Sequence, residues 1–230
     1  MRINKYIARS GLCSRRKADQ LILDGKIKVN GEVLKELGYQ VKNDDLVYFE
    51  DQVLKPVKEK IYYILNKPVG FVCTNEDRFA EKTIFDLIKS KEKLFSIGRL
   101  DADSRGLIII TNDGDLYNRI MHPRRQVFKE YEISLDKDFN LDDKKLIEEG
   151  VDIGDYITSR SYIKLGSKKN KLTIKISEGK NRQIRRMFDK FSYKVLDLNR
   201  IAIEDLKLEN LKLGQYRELT EDEIDYLYSL

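Results

Sequence analysis

Cysteine and histidine are scarce in this sequence, which limits the covalent and metal chemistry that it can support. The two cysteines, Cys13 and Cys73, lie far apart and form no Cys-x-x-Cys pair. We therefore expect reduced, structural thiols, with no disulfide, no metal site and no redox centre. The single histidine, His122, stands before Pro123 at the end of a predicted helix, so we expect it to be structural rather than a general base.

Long apolar runs are also missing. No stretch approaches the roughly 18 apolar residues that indicate a membrane-spanning helix, and the first five residues are polar, unlike an export signal. We therefore expect a cytoplasmic protein without a membrane partner. What is present is enough for a real core, because 230 residues, 41% of them hydrophobic, suffice for one medium domain and one small one.

The net charge is a modest +5, but it is concentrated near the N-terminus. Residues 1–28 contain eight Lys or Arg and two Asp, a local excess of +6, so the remaining residues are nearly neutral. A compact basic patch indicates a polyanion as partner, although a solvated charged face is the usual alternative. The basic residues of this patch are Arg2, Lys5, Arg9, Arg15, Arg16, Lys17, Lys26 and Lys28.

The first 50 residues predict a small unit of two helices and a few strands. An amphipathic helix comes first, and Ser14 is a good N-cap for a second helix that ends at Gly25. Asn30-Gly31 between two short apolar runs predicts a hairpin, and residues 46–50 supply another strand. The basic residues at the start of the second helix and along the hairpin suit phosphate oxygens.

This unit resembles the alpha-L RNA-binding domain first described in the fourth small-subunit ribosomal protein. The resemblance rests on the run from Ser10 to Ala18 and on the run from Ile27 to Gly31. It implies contact with structured RNA, but it says nothing of chemistry. The residues of this domain that we expect to contact RNA are Arg2, Lys5, Ser14, Arg15, Arg16, Lys17, Lys28 and Asn30.

A charged stretch that contains Pro56 separates this unit from a larger one. We predict the RNA-binding domain over residues 1–50, a linker over 51–60 and a second domain over 61–230. In the second domain strands outnumber helices and several follow one another directly, so we expect an α+β fold with a largely antiparallel sheet. Strands are predicted over residues 61–66, 70–74, 94–97, 107–110, 131–135, 161–165, 172–177 and 195–203, and helices over 83–90, over 114–121, from 141 and from 221.

The loop before the apolar strand 107–110 carries Asp101, and three chemistries fit this acid. Asp101 could join Asp103, Asp113 and Asp115 in a magnesium site, although the last two are typical of a turn at a helix start. Asp101 and Asp103 could form an acid/base pair, although their spacing is a poor geometry for flanking a glycosidic bond. A single carboxylate could also act alone, as nucleophile or base, on a glycosidic bond whose leaving group never departs.

A second basic concentration follows the middle strands. Asn181 is predicted to cap a helix with one apolar face and one basic face. The apolar face consists of Ile184, Met187, Phe188 and Phe191. The residues that can meet RNA are Arg182, Arg186 and Lys190 on the opposite face, with Arg185 at the flank.

Several motifs together resemble the ribosomal RNA pseudouridine synthases of the RsuA type. The loop from Gly98 to Asp101, with Ser104, Gly106 and the run from Thr111 to Gly114, is similar to their signature loop. Asn66-Lys67-Pro68, Lys129-Glu130-Tyr131, the run from Glu178 to Met187 and the run from Gly214 to Thr220 agree in order and spacing. The resemblance covers essentially the whole chain. It implies an enzyme that isomerises uridine to pseudouridine in ribosomal RNA without a cofactor or a metal.

The resemblance also implies roles for particular residues. Asp101 matches the catalytic aspartate, Tyr131 the tyrosine that stacks on the flipped base, and Arg185 the basic residue that pairs with the aspartate. Weaker candidates for RNA-backbone contact or loop support are Lys67, Arg99 and Arg182, and Arg186 is a further candidate for RNA contact.

Ser104 and the residues 107–110 favour the large-subunit branch of the family, called RluF. We expect a monomer that acts on ribosomal RNA or on a ribosome-assembly intermediate. The alternative from a different class is a non-catalytic RNA-binding or ribosome-assembly factor that keeps the fold.

Overall fold

The computed structural model describes residues 1–74, 81–122 and 124–230. These residues form two compact units, Met1–Lys60 with Ser90–Lys93, and Ile61–Lys89 with Leu94–Leu230. In the described part of the chain, no helix is long and apolar enough to cross a membrane.

The first unit is a small antiparallel sheet packed against two helices. Its strands lie in the order β2-β1-β3-β4. Buried Ile3 and Ile22 of the helices pack with Ile27 and Val47 of the sheet. The elements are α1 (Ile3–Arg9), α2 (Arg15–Leu23), β1 (Ile27–Val29), β2 (Glu32–Val33), β3 (Val47–Phe49) and β4 (Gln52–Leu54).

Local signals predicted from the sequence are confirmed in this unit. The Ser14 hydroxyl accepts the backbone N–H of Lys17 at 3.3 Å and caps α2. Asn30 and Gly31 have φ values of 53° and 89°, the left-handed conformation that a two-residue hairpin turn of type I′ requires at both positions. These two residues therefore allow β1 to fold back directly onto β2.

The second unit is built on one larger sheet, to which nine strands of the described residues contribute. The strand order is β13-β5-β7-β11-β8-β10-β9, with β12 beside β11 and β6 beside β7. The strands are β5 (Tyr62–Lys67), β6 (Phe95–Ile97), β7 (Arg105–Thr111), β8 (Lys129–Leu135), β9 (Tyr162–Leu165), β10 (Lys171–Ile176), β11 (Val195–Ile203), β12 (Leu206–Lys207) and β13 (Tyr216–Glu218). The helices are α3 (Gly114–Met121), α4 (Leu141–Glu149), α5 (Gln183–Asp189) and α6 (Glu221–Ser229).

The larger sheet buries apolar side chains on both of its faces. Ile64 and Leu107 pack on one face with residues of α3 and α6. Their neighbours Leu65 and Ile108 belong to a separate cluster on the opposite face, because successive side chains of a strand point to opposite sides. Burial on both faces explains why residues 107–110 are a continuous apolar run and do not alternate with polar residues.

Among the described strand pairs of this sheet, β7 and β11 are the parallel pair, and the other pairs are antiparallel. Gly106 of β7 lies opposite Arg200 of β11. Gly106 has a φ of 111°, and a Cβ atom at this position would lie 2.3 Å from the Arg200 carbonyl oxygen. Glycine is therefore required where the strand that follows the Asp101 loop approaches the centre of the sheet.

The prediction of a strand over residues 70–74 is wrong. This segment makes only an isolated bridge, between Val72 and Thr83. Its hydrogen bonds go partly to the loop before β7 instead, since the Gly70 N–H donates to the Ala102 carbonyl at 2.7 Å. A contact between residues so far apart in the sequence cannot be deduced from a short apolar run.

The helix predicted over residues 83–90 is much shorter in the structure. Thr83 and Asp86 form a capping box, which is the start signal of a helix. Only a 3-10 helix, Ile84–Leu87, follows, because Ile88 is extended with φ −116° and ψ 128°. The start of this element was predicted correctly, and its length was not.

Candidate active site

The loop between β6 and β7, which contains Asp101, is bound through its backbone by a buried lysine. The ammonium of Lys67, at the end of β5, donates to the backbone carbonyls of Pro68, Asp101 and Ser104 at 3.1, 3.0 and 2.7 Å. Lys67 is fully buried, and this burial lowers the pKa of its ammonium. The prediction that Lys67 contacts RNA is therefore wrong, whereas the alternative role of loop support agrees with its contacts.

The half-buried thiol of Cys73 also binds this loop. The Cys73 thiol donates to the Leu100 carbonyl at 3.3 Å and accepts the Leu100 N–H at 3.4 Å. Burial raises the pKa of this thiol, so it remains a neutral hydrogen-bonding group near neutral pH. Cys73 was predicted only as a structural thiol, and its contact with the residue before Asp101 became visible only in the structure.

Asp101 itself is half-buried, and its carboxylate makes no hydrogen bond or ion pair with any described residue. Its backbone, in contrast, is fixed, because its carbonyl accepts from both Lys67 and the Ser104 N–H. The neighbouring Ser104 hydroxyl is buried and also has no hydrogen-bond partner among the described residues. The loop thus presents an uncommitted carboxylate on a rigid backbone.

Tyr131 lies on β8 in the apolar cluster that also contains Leu100, the residue before Asp101. The fold therefore buries Tyr131 and the residue before Asp101 in the same apolar cluster, although they come from segments about thirty residues apart. Tyr131 is only 7% exposed, so most of its ring packs in the core. Two residues earlier, burial lowers the pKa of the Lys129 ammonium to about 8, with Arg200 contributing in the same direction.

Arg185, the third predicted catalytic residue, lies on α5 and contacts the Asp101 loop at a different residue. Its Nη2 donates to the Asp103 carbonyl at 3.0 Å, and its Nε lies 3.3 Å from Asp103 Oδ2. Its Nη1 donates to the Val195 carbonyl at 2.7 Å. The predicted pair between Arg185 and Asp101 is thus not formed in the structure, because Asp103 accepts this guanidinium instead.

The start of α5 also differs from the prediction, since Asn181 does not cap it. The N-cap is Arg182, which has a left-handed φ of 48° and no side-chain cap. The side chain of buried Gln183 stabilises this turn, because its Oε1 accepts the Lys180 N–H and its Nε2 donates to Glu178. The sequence pattern of polar residues could not distinguish these neighbouring positions.

The remaining arginines of the second unit have different surroundings. Arg182 Nη1 lies 3.1 Å from Asp103 Oδ2, so Arg182 also forms an ion pair with the Asp101 loop. Arg186 pairs with Asp155 and donates to the Ile153 carbonyl at 2.5 Å. Arg99 is exposed and has no partner among the described side chains. Of these residues, Arg99 is the one whose guanidinium is uncommitted.

In the first unit, the predicted RNA contacts divide into exposed cations and residues with a structural task. Arg15, Arg16 and Lys17 are exposed in the first turn of α2. Asn30 instead donates to Asp45 at 2.9 Å and accepts the Leu46 N–H, and Ser14 caps α2. Arg15, Arg16 and Lys17 thus remain as exposed cations at the N-terminus of α2, and a helix N-terminus favours an anion. Of the other candidates, Arg2 is exposed and Lys5 and Lys28 are half-buried.

The four acids considered for a magnesium site, Asp101, Asp103, Asp113 and Asp115, do not form one group in the described residues. Asp113 is buried, caps α3 through the Asp115 N–H and accepts the Tyr62 hydroxyl at 2.7 Å. Over residues 1–74, 81–122 and 124–230, no three His, Cys, Asp or Glu side chains are arranged to hold a metal ion. Asp113 thus has a structural position, in contrast to Asp101.

Comparison with known families divides the chain in two. The profile of the family described as RNA pseudouridylate synthase matches residues 61–190, and the profile of the S4 domain matches residues 1–47. Both matches follow the order in which the two units occur along the chain.

Individual relatives match over the full chain. The dual-specificity RNA pseudouridine synthase RluF of Escherichia coli (strain K12) is 39% identical over 234 residues, which cover 100% of this chain and 79% of that protein. The ribosomal large subunit pseudouridine synthase B of Bacillus subtilis (strain 168) is 37% identical over 239 residues, which cover 100% of this chain and 96% of that protein. A crystal structure of pseudouridylate synthase is similar, with a TM-score of 0.73, 34% identity and 99% of both chains covered.

Proposed function

This chain belongs to the RNA pseudouridine synthases of the RsuA type, and we propose that it isomerises a specific uridine of large-subunit ribosomal RNA with Asp101 as catalytic carboxylate. The predicted family, the α+β fold class and the S4-type domain agree with the comparisons. Two of the relatives are named as enzymes of this kind, one of them for the large subunit. We place the activity in the cytoplasm, with ribosomal RNA or an assembly intermediate as substrate.

The observation that carries the catalytic proposal is the state of the Asp101 carboxylate. It is uncommitted, while buried Lys67 and half-buried Cys73 hydrogen-bond to the backbone of Asp101 and Leu100. A carboxylate that need not first break an ion pair can attack the sugar or remove a proton from it directly. A backbone fixed in advance keeps this group in one place, which is the geometric condition for efficient attack.

The reaction requires nothing beyond the substrate atoms. The bond between C1′ of the ribose and N1 of uracil breaks, the base rotates, and a bond forms between C1′ and C5. The proton that leaves C5 is balanced by one gained at N1, so no redox partner and no water is consumed. One carboxylate in a site that keeps the detached base nearby can therefore complete the isomerisation.

The target base must leave its stack before the sugar can reach Asp101. We propose that the flipped base stacks on Tyr131, since Tyr131 shares an apolar cluster with Leu100, the residue before Asp101. Burial of most of the ring restrains it, so that a base would meet a surface of fixed orientation. In this proposal Arg99, whose side chain is exposed, contacts the RNA backbone.

The test compares wild type with Asp101→Asn, using Asp222→Asn on the surface of α6 as the matched control. The substrate is a transcript of large-subunit rRNA with tritium at C5 of uridine, because this label is released when the new carbon bond forms. We expect release by wild type and by Asp222→Asn, and none by Asp101→Asn with unchanged RNA binding. Activity of Asp101→Asn would refute the catalytic assignment. Binding without release by wild type would favour the non-catalytic assembly factor, and release from small-subunit rRNA alone would refute the large-subunit assignment.

A further inference from the structure

Four residues form one row across the larger sheet. Lys67 of β5 pairs with Gly106 of β7, and Gly106 pairs with Arg200 of β11. Arg200 pairs in turn with Tyr131 of β8. Because paired residues of neighbouring strands point to the same face, Lys67, Arg200 and Tyr131 share one face of the sheet. Lys67 hydrogen-bonds to the Asp101 carbonyl, so this row lies against the Asp101 loop.

Arg200 is a buried cation with an incomplete set of hydrogen bonds. It is 3% exposed, and its Nε donates to the Leu107 carbonyl at 2.6 Å. Its Nη2 is buried and has no hydrogen-bond partner, and no carboxylate in the described part of the chain forms an ion pair with it. A buried charged donor without a partner is unfavourable. Arg200 therefore has a donor available for an acceptor that arrives with a ligand.

The charge of Arg200 acts on the two groups that bind the Asp101 loop. Burial lowers the pKa of the Lys67 ammonium, and the charge of Arg200 lowers it further. Burial raises the pKa of the Cys73 thiol, and the charge of Arg200 opposes this rise. These effects agree with the strand register, since both indicate a positive charge close to the residues around Asp101.

We propose that Arg200 is a further catalytic residue, whose guanidinium donates a hydrogen bond to a carbonyl oxygen of the flipped uracil and stabilises the negative charge that this base acquires. When the bond between C1′ and N1 breaks, its electron pair stays with the uracil, and the charge is shared by N1, O2 and O4. The charge disappears when an electron pair at C5 forms the new bond to C1′, so Arg200 transfers no proton. A cation fixed in advance in a buried site stabilises such a charge more than water does. This proposal rests on the proposed function and adds a residue to it.

The depth of Arg200 favours the base over the RNA backbone as its ligand. A flipped base enters a pocket, whereas the phosphates of the bound strand stay near the protein surface. Arg200 is almost completely buried, and it is the direct cross-strand neighbour of Tyr131, on which the base stacks in the proposed function. A uracil carbonyl is therefore the acceptor that this donor fits.

The experiment changes the protein and the base together. After the modified uridine has been mapped, it is replaced in an rRNA fragment by 2-thiouridine or 4-thiouridine, because sulfur is a weaker hydrogen-bond acceptor than oxygen. The single-turnover rate of conversion is measured for wild type, Arg200→Gln and Arg200→Lys. The matched control is Arg217→Gln, because Arg217 is an arginine of the same sheet that pairs with Glu223.

We expect Arg200→Gln to convert uridine about a hundredfold more slowly than wild type, with unchanged RNA binding. For one of the two thiouridines, the ratio of the uridine rate to the thiouridine rate should be about tenfold larger in wild type than in Arg200→Gln. The intrinsic effect of sulfur on the reaction cancels in this comparison. Arg200→Lys keeps the charge but not the planar fork of donors, so we expect an intermediate rate and the same fall in the ratio. Arg217→Gln should match wild type in both quantities.

A purely structural role, in which Arg200 only binds the Leu107 carbonyl, predicts a different result. Its variants would then melt at a lower temperature and lose activity equally with all three bases. Equal ratios in wild type and in both Arg200 variants would therefore overturn the proposal, and if Arg200→Gln does not fold, the comparison with Arg200→Lys decides. Conversion by wild type together with equal ratios would leave the proposed function standing, whereas no conversion of uridine by wild type would overturn the proposed function and this proposal with it.

Discussion

Replacing Lys67 with methionine should both destabilise the protein and slow the reaction, because one buried ammonium holds the Asp101 loop. Methionine fills a similar volume but cannot donate to the carbonyls of Pro68, Asp101 and Ser104. Hydrogen bonds from a charged donor contribute about 1.5–3 kcal/mol each, so the three bonds together are worth several kcal/mol. The lowered pKa of Lys67 shows that its burial has an opposing cost, which methionine removes.

We expect a net loss of about 3 kcal/mol in the free energy of unfolding, measured by urea denaturation at pH 7. The three carbonyls would no longer be fixed, and a shift of the loop by about 1 Å should lower kcat by roughly a hundredfold. The matched control is Lys207→Met, since Lys207 is exposed on β12 and should change neither quantity. A Lys67→Met protein with wild-type stability and wild-type kcat would show that the loop does not depend on this ammonium.

Two further predictions concern pH and salt. The pKa of Lys129, about 8 when folded against about 10.5 when unfolded, means that the folded state loses its proton first. This group should therefore raise the free energy of unfolding by roughly 2 kcal/mol between pH 8 and pH 10. The same change in the free energy of unfolding over this pH range in wild type and in Lys129→Met would contradict the assignment. Reversing Arg15 and Arg16 to Glu should weaken binding of an rRNA fragment and reduce the slope of log K against log[salt] by about 1.5, and an unchanged slope in filter binding would exclude these residues from the interface.

Much of the local structure was predictable because it depends on neighbouring residues. Asn30-Gly31 required a tight hairpin, Ser14 capped α2, and the helix over residues 114–121 and the strand over 195–203 were predicted with the bounds that the structure has. In each case the decisive interaction is a cap, a turn or a regular side-chain period within a few residues. Tertiary contacts did not override these preferences.

The failed predictions share a different origin. Residues 70–74 were apolar enough for a strand, but Gly70 and Cys73 bind the Asp101 loop about thirty residues later. The start of α5 was misplaced by one residue because the buried side chain of Gln183, and not Asn181, satisfies the backbone there. Local residue preferences do not contain information about hydrogen bonds to residues far away in the sequence.

The motifs around Asp101 were enough to predict the catalytic carboxylate, because they resemble one family over the whole chain. The sequence also determined the basic first unit and the α+β character of the second. The contacts that hold the site together became visible only in the fold: Lys67 is buried next to the loop, Cys73 binds Leu100, and Arg185 pairs with Asp103. The reason is that the partners in these contacts are 27 to 82 residues apart, so their pairing depends on the strand order of the larger sheet.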